Sequence, residues 1–380
     1  MIGDNSTNPD FMLKILHQEL PPQDIHGGLG TGLDASIPYQ EDAPVTIPPD
    51  FRFPFPQVID STTIAAFRSC PQKAFRQYFQ HWKPQGESVH LIAGGAFAAG
   101  LEAARTAYYA DGWDMSSAEA MGIKALVEKY GDFQCPEDSV KSLERMVGAL
   151  EYYFTRYPLD TDPAKPAKFT NGRLGIELSF SEPLPVAHPV TGNPILFAGR
   201  SDMVCEFAGG IYIEDDKTTS QLGATWSKQW DLRSQFTGYC WAARQSNIPV
   251  TGVLVRGVSI LKTKYDTQQA LTYRANWEMD RWLAQVVRDI ERMKVAWETG
   301  YWDYALDEAC TQYGGCSLQR VCKSESPDTW LPMYFTPRVW NPLLREEETL
   351  GTYLIRAHES GALSDSEFQD FCDHNPGSVG

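Results

Sequence analysis

Residues 211–220 read IYIEDDKTTS, an apolar run of strand type that ends by setting Glu214, Asp215 and Asp216 directly against Lys217. In a strand, residues two apart point to the same face, so Asp215 and Lys217 share a side and Asp216 points away. Two segments of the same period precede it. GIELSFSEPL begins at Gly175 and PILFAGRSDMVCEF at Pro194, and AGG at 208–210 is the tight turn into the third strand. Glu177 lies in the first strand, Asp202 follows a bend at Gly199 in the second, and Asp215 ends the third. Hard carboxylate oxygens from Asp202 and Asp215 suit Mg²⁺ or Mn²⁺. A lysine beside them can orient or help deprotonate an attacking water and offset charge on a phosphorane, so the spacing fits metal-dependent phosphodiester hydrolysis.

The surrounding chain is globular in composition. It has 380 residues, 42% hydrophobic and 12% aromatic, with 11 Trp, a length that suggests two or three domains or one domain with large additions. No apolar run approaches the roughly 18 residues that span a bilayer, and the opening MIGDNSTNPD lacks the basic start of an export signal. A soluble, cytoplasmic protein without a membrane partner is expected. The net charge of −16 argues against a protein that coats nucleic acid non-specifically, because that affinity comes from Lys and Arg neutralising phosphates. It leaves room for a local basic groove beside acidic metal ligands.

Residues 1–57, rich in Pro and Gly, read as an extended or partly disordered arm. Asp60 and Ser61 can cap a helix STTIAAFRSC, and Pro71 suits the first turn of PQKAFRQYFQHW. Helical patterns continue through LIAGGAFAAGLEAARTAYYADG, residues 116–131 and SVKSLERMVGALEYYFTRY, making 58–160 a helical region. A sheet-bearing core is expected over 161–325, with a helix over about 228–246 and a strand in VTGVLVRGVSIL. A long helix then sets Met279, Leu283, Val286, Ile290, Met293 and Trp297 on its core face. Residues 326–380 read as an acidic tail without assigned chemistry. The basic residues Arg200, Lys228, Arg233, Arg256, Lys262 and Lys264 are either solvated charges or, in RGVSILKTKY, the lining of a strand-tracking groove with Tyr265 available for stacking. Trp226, Trp230 and Trp241 are read as core.

In the 228–246 helix, Gln235 and Tyr239 lie four apart on one face. The order GRSDMV, IEDDKTT, QFTGY resembles the RecB-like branch of the PD-(D/E)XK nuclease superfamily over about residues 60–325. The resemblance implies an α/β fold with a central mixed sheet flanked by helices. It also implies Asp202 and Asp215 as metal ligands, Lys217 as the catalytic lysine, Gln235 and Tyr239 as the helical motif, and Glu177 as the acidic residue of the preceding strand. The implied activity is a metal-dependent deoxyribonuclease, an exonuclease acting on single strands or DNA ends. The alternative is a weak or inactive nuclease-fold module that binds DNA or serves as a scaffold with recombination or replication proteins. One departure bears on that choice. In GGAFAAGLE, Gly94 and Glu102 match the family, but Ala98 stands where many relatives carry a metal-ligating His.

Of the eight Cys, Cys310, Cys316 and Cys322 recur at intervals of six in EACTQYGGCSLQRVC. In a chain without an export signal such clustering points to a metal rather than disulfides, and Cys70, in FRSCPQKAF, is the candidate fourth ligand. One Cys before the core and three after it resembles AddB-type helicase-nuclease subunits and CRISPR-associated exonucleases, which implies a 4Fe-4S cluster. The relatives' three-Cys group more often opens Cys-x-x-Cys, so zinc at the same four Cys stays open. Cys205 and Cys240 are read as buried hydrophobes.

Overall fold

The segments of period two form one sheet and the helical segments cover both its faces. The structure, a computed structural model, describes residues 47–48, 51–86, 88–311 and 315–375. Most of the expected arm over residues 1–57 lies outside the described residues. Phe53 and Phe55, which do not, are buried at 4% and 1% exposure.

The chain enters on β1 (Val58–Asp60) and turns into α1 (Ser61–Ser69), where the Asp60 side chain accepts a hydrogen bond from the Thr63 amide as an N-cap. α2 (Pro71–Ala74) follows with Pro71 in its first turn. Then come β2 (Trp82–Pro84), α3 (Val89–Arg105), α4 (Met115–Tyr130) and α5 (Leu143–Arg156). After the short β3 (Lys165–Pro166), the strands β4 (Ile176–Ala187), β5 (Pro194–Phe207) and β6 (Gly210–Thr219) run as an antiparallel meander. The last turn has Ala208 at φ 48° and Gly209 at φ 79°, the double left-handed conformation that matches the twist of a two-residue hairpin. α6 (Ala224–Lys228) and α7 (Ser234–Gln245) carry the chain to β7 (Val250–Ile260), parallel to β6, and β8 (Tyr265–Tyr273) closes the edge. Among the described residues this gives a mixed seven-stranded sheet, the expected α/β architecture.

α1, α7 and α8 (Asn276–Thr299) cover one face, packing Phe67, Phe236 and Trp282 around Phe197, Val253 and Val255. α3, α4 and α5 cover the other, around Val258 and Ile260. β7 is therefore buried on both faces, which explains its nearly continuous β-branched sequence. No helix among the described residues is long and apolar enough to cross a membrane.

Two helical expectations change. The helix expected over 228–246 breaks between Lys228 and Ser234. Trp226 and Trp230 are both buried edge to face at 5.5 Å, and Arg274 donates to the freed Trp230 carbonyl at 2.7 Å and to Thr237 at 3.0 Å. Core packing with a local cation thus replaces a helical turn. The helix from Pro71 widens into a π-turn at Phe75–Phe79, with Gln80 donating to the Phe75 carbonyl. That brings Phe75 and Phe79 within 5.1 and 4.6 Å of the Trp302 ring.

After α9 (Glu308–Thr311), α10 (Gln319–Cys322) and α11 (Pro327–Tyr334), β9 (Phe335–Pro337) pairs with β2. β10 (Val339–Asn341) and β11 (Glu346–Glu348) form a hairpin, and α12 (Leu350–Glu359) and α13 (Asp365–His374) pack against Phe53. His81 is wedged here between the rings of Phe53 and Tyr353. Burial, then Arg356 and Lys83, lowers its pKa to about 3. The folded state thus keeps His81 neutral while the unfolded chain takes up a proton below about 6.5, so stability drains as pH falls from 6.5 toward 3. Urea titrations at pH 7 and pH 5 are expected to show the wild type losing about 2 kcal/mol more than His81→Phe over that interval.

Candidate active site

The meander opens where the acidic residues stand. β5 pairs with β6 from Phe207↔Gly210 up to Met203↔Glu214, and there the ladder stops. Beyond that point β6 follows β7 alone, as far as Thr219↔Ser259, while β5 takes β1 along Leu196–Ala198. The two strands part at Asp202 and Asp215, leaving a notch whose walls carry these two side chains. Across it, the Asp202 carboxylate accepts a hydrogen bond from the Asp216 amide at 2.9 Å. On the other side of β5, Glu177 sits between the rungs Ile176↔Met203 and Leu178↔Ser201, which sets it opposite Asp202. Its φ of 48° marks a kink in β4. Arg200 pairs with Glu177 at 2.5 Å.

Asp215 and Lys217 share a face, as the spacing of two requires, and form an ion pair. Glu177, Asp202, Asp215 and Lys217 thus come together from three strands. α7 adds the helical pair, in which Gln235 donates to the Tyr239 hydroxyl at 3.2 Å. The Tyr239 ring packs edge to face on Phe180 at 5.2 Å, and its hydroxyl feels the charges of Asp215 and Lys217.

The site is crowded with negative charge. Burial, opposed by Lys217 and reinforced by Asp202, pushes Asp215 up to about 7. Burial, then Asp202, and further off Glu102 push Glu177 up to about 8 against the pull of Arg200. Burial alone would lower Lys217, but Asp215 and Asp202 outweigh it and hold the amine as an ammonium. Glu102 lies on α3, one helical turn after Ala98. Among the described residues no three His, Cys, Asp or Glu side chains are arranged to hold a metal ion.

Gly199 is the close approach that lets the layers meet. A Cβ there would stand 2.5 Å from the Phe180 ring and 2.9 Å from the Tyr239 ring. Gly199→Ala is expected to displace Tyr239 and to lower stability by about 1–3 kcal/mol, the usual cost of overpacking. A chemical-denaturation midpoint measures it.

Sequence reasoning missed the other half of IEDDK. Glu214, fully buried, and Asp216 point into the helical layer. Arg105 donates to Glu214 at 2.6 Å and pairs with Asp216 at 2.8 Å. Tyr153 donates to Asp216 at 2.7 Å. Arg256, read as either a solvated charge or a groove cation, is instead 1% exposed, clamps Asp162 bidentately at 2.6 and 2.7 Å and reaches Glu214 at 3.3 Å. Burial pushes Glu214 up to about 7, and Arg256 and Arg105 keep it from rising further. Tyr265 lies beneath the Arg145 guanidinium at 3.9 Å. Trp226, Trp230, Trp241, Cys205 and Cys240 are buried, as expected of core residues.

Cys70 joins α1 to α2, and Cys310, Cys316 and Cys322 follow α8. Cys70 ends α1, Cys310 lies in α9 and Cys322 ends α10, while the Cys316 amide donates to the Cys310 carbonyl at 2.9 Å. Burial, then the thiols of Cys316, Cys70 and Cys310, raises Cys322 to about 11. Cys70, Cys310 and Cys316 are thus each within electrostatic reach of Cys322, and residues 312–314 lie outside the described residues.

A mixed sheet with helices on both faces and carboxylates at a parting of two strands defines an α/β fold of restriction-endonuclease type. The chain belongs to the PD-(D/E)XK nuclease superfamily, whose family model matches residues 61–323. Among solved structures, a protein of Eubacterium rectale described as a "Putative exonuclease" aligns over 67% of this chain and 87% of its own, at 13% identity and a TM-score of 0.40. SSO0001 aligns over 52% of this chain and 74% of its own, at 13% identity and a TM-score of 0.24. No curated protein matches the chain.

Proposed function

We propose that this protein is a divalent-metal-dependent deoxyribonuclease that hydrolyses phosphodiester bonds in single strands or at DNA ends. The observation that carries this reading is the notch at which Asp202 and Asp215 face each other beside the Lys217 ammonium. The donor set fits Mg²⁺ or Mn²⁺, since every candidate ligand is a hard carboxylate oxygen, and burial first, then the charge of Asp202, raises both Asp215 and Glu177, a cost to their charged forms that a cation would relieve. Asp202 and Asp215 would hold the ion, with Glu177 joining if Arg200 yields. When bound, the ion supplies a Lewis acid for the phosphoryl oxygens and an acidified water. Lys217 offers a fixed positive charge to the developing phosphorane and, as an ammonium, orients water rather than deprotonating it. Gln235 and Tyr239 brace the wall that positions Asp215.

Linear and circular single-stranded DNA, incubated with Mg²⁺ or Mn²⁺ and with a chelator, test the reading. Metal-dependent loss of the linear substrate alone supports end-directed hydrolysis. Absence of cleavage by folded, metal-supplemented protein defeats it. A second reading, a nuclease-fold module that binds DNA or scaffolds recombination or replication proteins, is favoured by Ala98 and by the lack of a three-donor arrangement among the described residues. Calorimetric titration with Mn²⁺ separates the two, because the scaffold needs no ion at Asp202 and Asp215.

We further propose that Cys70, Cys310, Cys316 and Cys322 hold a 4Fe-4S cluster, with zinc the alternative. The support is the spacing of the four Cys along the chain and the electrostatic reach of Cys70, Cys310 and Cys316 to Cys322. The group would tie α1 and α2 to the segment after α8, so its loss would be felt as unfolding. Iron and zinc analysis of anaerobically purified protein, together with its visible absorption, decides between them.

A further inference from the structure

The hairpin Val339–Glu348 lies beyond the family match, yet it reaches the notch. Its tip is WNPLLREEE, residues 340–348. The Asn341 side chain accepts the amides of Leu343 at 3.0 Å and Leu344 at 3.2 Å, and the Arg345 amide donates to the Asn341 carbonyl at 2.7 Å. Arg345 is held at φ 59°, in the left-handed region. The base of the hairpin is anchored. Trp340 donates to Asp60 at 3.0 Å, Lys83 pairs with Glu347 and Arg356 with Glu348.

This anchored loop aims a cation at the site. Arg345 donates to the Arg200 carbonyl at 3.4 Å, one strand position pair from Asp202, and its charge is felt at both Glu177 and Tyr239. The other cations near the carboxylates are engaged, Arg200 with Glu177 and Lys217 with Asp215. Among the described residues no carboxylate forms an ion pair with Arg345. Beside it Leu343 and Leu344 stand 45% and 55% exposed, two adjacent apolar side chains on a loop tip.

We propose that this hairpin is a strand-recognition element, in which Arg345 binds the backbone phosphate flanking the scissile one while Leu343 and Leu344 lie against a nucleobase of single-stranded DNA. The proposal rests on the nuclease reading and deepens it. A notch lined by Glu177, Asp202 and Asp215 repels a polyanion, so a strand entering it needs a cation at the rim, and Arg345 supplies one in a fixed place. A guanidinium on phosphate and aliphatic carbons on a base face read no sequence. The occupant is therefore a strand of any sequence.

Fluorescence anisotropy of the full-length protein with a labelled oligothymidylate, without divalent metal, tests it. Arg345→Ala is expected to weaken binding about tenfold and to shrink the salt slope by about 0.7, one phosphate contact on a single strand, and Arg345→Lys should restore most of the slope. The double variant Leu343→Ala, Leu344→Ala should weaken binding about fivefold through the apolar area lost against a base, but only while the strand carries bases. On an abasic strand it should match wild type. Unchanged affinity and slope in Arg345→Ala overturns the phosphate contact, and equal losses on abasic and normal strands in the leucine variant overturn the base contact. Wild type that binds the strand but does not degrade it with Mn²⁺ defeats the nuclease reading instead, so the two failures are told apart.

Discussion

Replacing Asp215 by Asn is expected to lower metal-dependent DNA cleavage by at least about 10²–10³-fold, the range seen when one preorganised electrostatic group is removed from an active site, while leaving the fold intact. The amide keeps the carboxylate's shape and can still accept a hydrogen bond from Lys217. What it loses is the charge that would clasp the cation. Because Asp215 is 3% exposed and crowded by Asp202, its charge is a burden to the folded chain, and the variant should be at least as stable as the parent in the absence of metal. Cleavage of end-labelled DNA measures the first part and thermal unfolding with a chelator the second. Cleavage at wild-type rate would remove Asp215 from the site, and a large fall in melting temperature would make its role structural.

The opposite pattern is expected from the face behind it. Arg105→Met removes the guanidinium that serves Glu214 at 2.6 Å and Asp216 at 2.8 Å, leaving two buried carboxylates with reduced compensation. Breaking a buried pair by deleting one partner costs about 3–5 kcal/mol, so urea unfolding should shift strongly. Removing Arg105 together with both acids, as Arg105→Met, Glu214→Leu, Asp216→Asn, should recover much of the loss, since no unpaired charge then remains. A single variant as stable as wild type would show that Arg256 and Tyr153 alone satisfy the pocket.

Local rules made much of this legible. The spacing of two in Asp215 and Lys217 fixes their shared face whatever the tertiary context, and the cap at Asp60 and the turn at 208–210 are likewise set by neighbours in sequence. The partners of Glu214 were not legible. Arg105 and Arg256 meet it from a distant helix and a neighbouring strand, and nothing in EDDK distinguishes a carboxylate that faces solvent from one that faces guanidinium. Arg256 was misread for the same reason: a charged residue in an apolar strand carries no mark of whether its counter-ion waits inside. Arg345 lay in a segment whose composition suggested only an acidic tail, and its relation to Arg200 exists only through the pairing of β2 with β9 and the anchoring of Trp340 on Asp60.

The alternation along β6 also has a consequence for how the sheet chooses its frame. A slide of one residue against β5 and β7 would carry Glu214 and Asp216 into the notch and drive Lys217 against Arg105 and Arg256. The apolar residues would object little, because Ile211, Tyr212 and Ile213 suit either side. The charges would object where Lys217 takes the place of Asp216, because its ammonium would then stand beside the Arg105 guanidinium. Lys217 therefore works as a proofreading mark, rejecting that mispaired strand by repulsion where greasy side chains alone would accept it.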